Sequence, residues 1–141
     1  MSRSGYEDDI EDPLAVGRWR GAVNSALRGK RGQAFLHELA EAMDAMPVRE
    51  LIVEELVTEQ GCCTLGVVCK ARGLDVQNVD PGEPEIVARI LGIASAMAAE
   101  IAFLNDEFGT VYCGDGLLRK ETPSERWIRI RAWVAANIVV E

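Results

Sequence analysis

Arg28, Lys30 and Arg31 lie in the short run RGKRG, where Gly29 and Gly32 flank the two central cations. Cations set between glycines at the mouth of a helix meet the physical requirements for anion capture: close backbone approach, free N–H groups and the positive end of a helix dipole. The eight-position phosphate-loop pattern, with Gly-Lys followed by Ser or Thr, is absent, and no strand clearly precedes the run, so nucleotide hydrolysis is not indicated. Together with two upstream arginines the run makes a candidate partner-binding set of Arg18, Arg20, Arg28, Lys30 and Arg31, and Arg126, Arg129 and Arg131 are potential additions to it. Its ligand is either nucleic acid or an acidic protein face. The competing reading is neutralisation of these cations by carboxylates of the same chain.

Other reactive side chains give weaker signals. Cys62, Cys63, Cys69 and Cys113 are enough for tetrahedral zinc, but no Cys-x-x-Cys pair is present. As neighbours in a strand, Cys62 and Cys63 would face opposite sides, so the thiols read as buried, small apolar groups. His37 is the only histidine, and nothing in the spacing brings a cysteine beside it to form a nucleophile and its base. It reads as a structural residue, partly exposed or hydrogen-bonded. Carboxylate pairs such as Glu54-Glu55 and Asp106-Glu107 are solvated faces of an acidic chain. No catalytic residue, metal or cofactor site is assigned, and the chain reads as a non-enzymatic binding protein.

The elements that position these groups follow from apolar spacing. Residues 1–13 are polar and acidic and read as a disordered arm, leaving 14–141 as one helical domain, the size a single core can organise. From Leu14, the positions Trp19, Val23, Ala26 and Leu27 predict a helix that Gly29 ends in a left-handed conformation. A second helix over 32–46 buries Phe35, Leu36, Leu39, Met43 and Met46, and Pro47 closes the helical hairpin. Residues 49–65 are ambiguous between a short amphipathic helix and a β-hairpin turning at Glu59-Gln60-Gly61, with the hairpin slightly favoured. A brief helix over 65–72 ends at Gly73, and 75–83 is a loop.

One long central helix is expected over 84–106, carrying Ile86, Ile90, Ile93, Met97, Ile101 and Leu104 as its stripe. Residues 108–119 are Gly-rich and read as a loop with one short strand at 110–113. Thr122-Pro123-Ser124-Glu125 is the arrangement of a capping box ahead of Trp127, Ile130 and Val134, so a last helix runs to about residue 138. The sum is a mainly α, single-domain bundle of about five helices with a short β-hairpin around 51–64.

A net charge of −8 opposes non-specific approach to a phosphate backbone, except through a local basic patch. The start of the chain lacks the apolar core and cleavage site of a secretory signal, and the thiols fit a reducing compartment, so a cytoplasmic protein is expected. No run reaches the ~18–20 apolar residues of a membrane span. Trp19, Trp127 and Trp133 exceed what one small helical core must bury, which makes a homodimer a partner option.

The blocks RWRGAVNSALRGKRGQAFLHEL, AMDAMP, LG…ARGLD, IASAMAAEIAFLND and ETPSERWIRIRAWV together resemble a family of small uncharacterised bacteriophage and prophage proteins of proteobacteria. The likeness covers 18–134, and RGKRGQAFL and TP-E-RW are its most specific parts. No residue role comes with it. The resemblance implies a phage accessory protein in a bacterial cytoplasm, similar in size, charge and setting to anti-defence proteins such as anti-CRISPR inhibitors. The expected function is therefore binding and modulation of a host protein complex, of the nucleic-acid-handling kind, with acidic faces meeting a basic surface. The alternative is a nucleic-acid-associated accessory protein that uses the basic patch at 18–31.

Overall fold

Apolar positions at helical spacing wind the chain into six helices among the residues that the computed structural model describes, residue 3 and residues 13–140. In order these are α1 (Pro13–Arg28), α2 (Lys30–Asp44), the pair β1 (Val57–Thr58) and β2 (Gly61–Cys62), α3 (Thr64–Ala71), α4 (Pro84–Leu91), α5 (Ser95–Glu107), the pair β3 (Thr110–Tyr112) and β4 (Leu118–Lys120), and α6 (Pro123–Asn137). Both strand pairs are antiparallel, with registers Val57↔Cys62 and Tyr112↔Leu118. Of the arm expected over 1–13, only Arg3 and Pro13 are described. Arg3 is buried, and Pro13 is the first residue of α1.

Helix α5 is the hub. Met97, Ala98, Ile101 and Ala102 are buried along it, and α1, α3, α4 and α6 all pack against it. Helix α2 closes the other side against α3 and α6 through Phe35, Leu36, Leu39 and Met43. Two glycines set how near the layers come: a Cβ at Gly32 would collide with the Ala26 carbonyl oxygen, and one at Gly66 with that of Leu56. Side-chain volume at either position would push packed backbones apart.

Several expectations need correction. The central helix is not continuous: Gly92 takes a left-handed backbone (φ 76°), and α4 and α5 meet at 110°. The break turns the Ile86–Ile90 half of the stripe outward, so those two side chains are exposed while Ile93, Met97 and Ile101 are buried. Gly29 is extended (φ −69°, ψ 166°) and serves as the N-cap of α2, which starts at Lys30. The first hairpin is confined to 57–62, with Gly61 in the strand rather than in the turn. The segment expected as a loop over 108–119 supplies a second strand, because β4 pairs with β3. Cys113 is exposed, whereas Cys62, Cys63 and Cys69 are all buried: Cys62 ends β2 and Cys63 caps α3, so the two neighbours no longer share a strand's alternation. Among the described residues no single helix is long and apolar enough to cross a membrane.

Candidate functional site

The apolar faces of α1 and α2 dictate where the cations go. Val23 and Leu27 on α1, and Phe35, Leu36 and Leu39 on α2, turn into the core, so the opposite faces point outward. Arg28 ends α1, Gly29 alone makes the turn, and Lys30 and Arg31 open α2. All three cations are exposed.

Gln33 braces this turn. Its side-chain amide donates to the Leu27 carbonyl at 2.7 Å and to the Asn137 carbonyl at 3.0 Å, and its oxygen accepts from the Val139 amide at 2.9 Å. The α1–α2 connection is thereby tied to the end of α6, and the cations stand on a fixed support. No signal in the sequence marks Gln33 for this role, since a glutamine on an amphipathic helix reads as an ordinary polar position.

Seven arginines form ion pairs among the described residues: Arg3, Arg20, Arg72, Arg119, Arg126, Arg129 and Arg131. Arg18, Arg28, Lys30 and Arg31 form none there. The reason lies in the sequence: residues 13–37 carry five cations and not one carboxylate. Arg20 leaves the candidate set, because it is bound to the buried Glu100 carboxylate. Arg18 lies ten residues before Arg28 on the same helix, which places it roughly 15 Å away along the axis. The candidate set therefore narrows to Arg28, Lys30 and Arg31.

The arginines of α6 do not extend it. Arg126 and Arg129 both reach Glu121, whose side chain is 4% exposed, and Arg126 also donates to the Leu51 carbonyl at 2.7 Å. Burial lowers the Arg126 pKa from its ordinary value, with Glu121 acting against that shift. Arg131 binds Asp44 through two nitrogens, at 2.8 and 3.0 Å, and the hydrogen bond holds the Asp44 carboxyl below its usual range. These residues are fasteners between α6, α2 and the 49–56 segment.

Little points to reactive chemistry. His37 is exposed on α2. Burial pushes the Cys62 and Cys69 thiols up to about 11, which keeps them protonated at neutral pH. Among the described residues no three His, Cys, Asp or Glu side chains gather as metal ligands. A groove of about 460 Å³ between the end of α2, the first hairpin and α3 is lined by Met46, Pro47, Val48, Cys62, Val67 and Lys70, and His37 is not on it.

No protein-family model matches the chain, and neither a curated protein nor a solved structure is significantly similar to it.

Proposed function

We propose that this chain is a non-enzymatic phage accessory protein that binds and modulates a protein complex of its bacterial host, a defence complex of the CRISPR-Cas kind being the first target to test. In place of acidic faces of this chain meeting a basic surface, the Arg28–Lys30–Arg31 turn is the contact site and an acidic face of the partner is its ligand. One observation carries this reading: Lys30 and Arg31 occupy the first turn of α2, the positive end of its dipole, with no acidic residue in that turn. Helix stability favours carboxylates there and disfavours cations. A local rule broken on an exposed, braced turn marks a position kept for binding.

The test is affinity capture from nuclease-treated lysates of proteobacterial hosts with and without defence systems. The wild-type chain is expected to recover one defined complex, and the triple variant R28E/K30E/R31E to lose it. Equal recovery by both chains sinks the proposal. The alternative, direct nucleic-acid contact through the same cations, predicts binding of purified chain to duplex DNA. Its log affinity would fall with log salt at a slope of about −3, the value for three neutralised phosphates.

A further inference from the structure

The best-built polar site in the described structure is filled by the chain's own Arg3. Its guanidinium engages both oxygens of Asp106, with Nη2 at 2.8 Å from Oδ1, and its Nη1 lies 3.4 Å from both the Glu55 carbonyl oxygen and Cys63 Sγ. Only 5% of the Arg3 side chain and 8% of the Asp106 side chain are exposed. Burial works against the charge on Arg3, but Cys63 and Asp106 outweigh it and raise the pKa above the ordinary arginine value.

The walls of this slot are held by bonds that do not involve Arg3. Asp106 also accepts from the Asn105 amide at 2.9 Å and from the Glu54 backbone at 3.1 Å. Asn105 is fixed in turn by Thr64 and by the Ile52 carbonyl. Cys63 caps α3, accepting from Gly66 N, and its own amide donates to the Leu56 carbonyl. Glu54 is the one described non-glycine residue at positive φ (68°), and its strained backbone is pinned by Asp106. The carboxylate and the sulfur are thus held by other bonds as well, and the slot presents a carboxylate fork, a carbonyl and a sulfur to one planar cation. A guanidinium matches that fork, whereas an ammonium ion does not.

Arg3 belongs to none of the six helices. Nine residues separate it from Pro13, and five of them are Asp or Glu. An arginine of another protein, bringing further contacts of its own, competes for the same carboxylate fork. From these relations we infer that the Asp106–Glu55–Cys63 slot is a recognition site for an arginine side chain, occupied in the resting chain by Arg3 and available to an arginine of a protein partner when Arg3 leaves. It is independent of the basic turn and does not rest on the function proposed for it.

The full-length variant Arg3→Ala tests this directly, with Cys63 alkylation located by peptide mass spectrometry as the readout. Removing the charge-assisted bonds of Arg3 is expected to speed alkylation about tenfold or more. N-acetyl-arginine methylamide at millimolar concentration is expected to slow it again, N-acetyl-lysine methylamide to have little effect, and Asp106→Asn to abolish the protection. Arg3→Lys, which keeps the charge without the fork, is expected to fall between the wild type and Arg3→Ala. Should Arg3→Ala lose its helical circular dichroism, recovery of that signal by the arginine compound alone supports the slot, and no recovery overturns it. Wild-type alkylation rates in Arg3→Ala, equal protection by both compounds, or no protection by either also overturn it.

Discussion

Arg20 and Glu100 face each other across the α1–α5 interface, the guanidinium Nη1 lying 3.1 and 2.9 Å from the two carboxylate oxygens. The arginine is 48% exposed and the carboxylate 7%. The pair separates two kinds of cation that look alike in the run from Arg18 to Arg31. Arg20→Ala removes a charged hydrogen-bond partner from a buried carboxylate and is expected to cost about 1–3 kcal/mol in urea unfolding. Arg28→Ala removes an exposed cation with no ion pair among the described residues and is expected to change stability by no more than about 0.5 kcal/mol. Equal losses in the two variants would remove the distinction on which the narrowed candidate set rests.

Glycines in α1 and α2 make a second contrast. Gly17 and Gly21 have nothing within 4 Å of where a Cβ would stand, while at Gly32 the Cβ meets the Ala26 backbone. Replacing Gly17 or Gly21 by Ala is therefore expected to stabilise the chain by about 0.5–1 kcal/mol, the helix-propensity difference. Gly32→Ala is expected to destabilise it by at least about 1–3 kcal/mol, because helix packing must open. Thermal unfolding of the three single variants gives the signs.

What the sequence discloses depends on whether a feature is local. Thr122 and Glu125 lie three residues apart, and their reciprocal capping bonds form as the spacing requires, at 3.2 and 2.9 Å. The helical hairpin of α1 and α2 is equally legible, because each helix carries its own apolar stripe. The break at Gly92 is less so: the stripe from Ile86 to Leu104 runs through it unbroken, and a glycine among Ala and Ser reads as a close-packing position. Here it is a left-handed C-cap, with the Gly92 and Ile93 amides donating to the Ala88 carbonyl. The pairing of β4 with β3 was hidden for a related reason, since Leu118, Arg119 and Lys120 are all exposed and show no alternation of burial. In the candidate site the cations were visible as residue types. Which of them lack an ion pair among the described residues was not, because Glu100, Glu121 and Asp44 reach Arg20, Arg126, Arg129 and Arg131 from positions far off in sequence or across a turn.

Acid titration isolates the capping carboxylate. Hydrogen bonding to Arg119, followed by the Thr122 backbone amide, lowers Glu125 from the ordinary 4.5 to about 2. A depressed carboxyl pKa contributes stability that is fully present above the unfolded value near 4.5 and is lost as pH falls through about 2. The wild type is therefore expected to exceed Glu125→Gln in stability by a constant amount between pH 5 and 7, with the gap closing toward pH 2. Unfolding curves at several pH values check this, and a gap that widens on acidification contradicts the assignment. Glu38 and Asp44, lowered by Arg72 and Arg131, shift the acid limb of both proteins in the same sense and cancel in the comparison.

The sharpest expectation concerns the basic turn, where stability and binding pull in opposite directions. Lys30 and Arg31 open α2 against its dipole, whereas Arg28 closes α1 with the favourable sign. Reversing charge at Lys30 and Arg31 is thus expected to stabilise the fold by about 0.3–1 kcal/mol for each residue at low ionic strength, an effect that salt reduces. Arg28→Glu is expected to act in the other direction. If the turn is a contact site, K30E/R31E yields a chain that melts at a higher temperature and yet loses its partner, which separates lost recognition from lost folding. A K30E/R31E chain that melts lower than wild type would mean that these cations serve the fold through bonds the dipole argument does not include. A variant that is more stable and still binds would remove Lys30 and Arg31 from the interface and leave Arg28 alone to account for it.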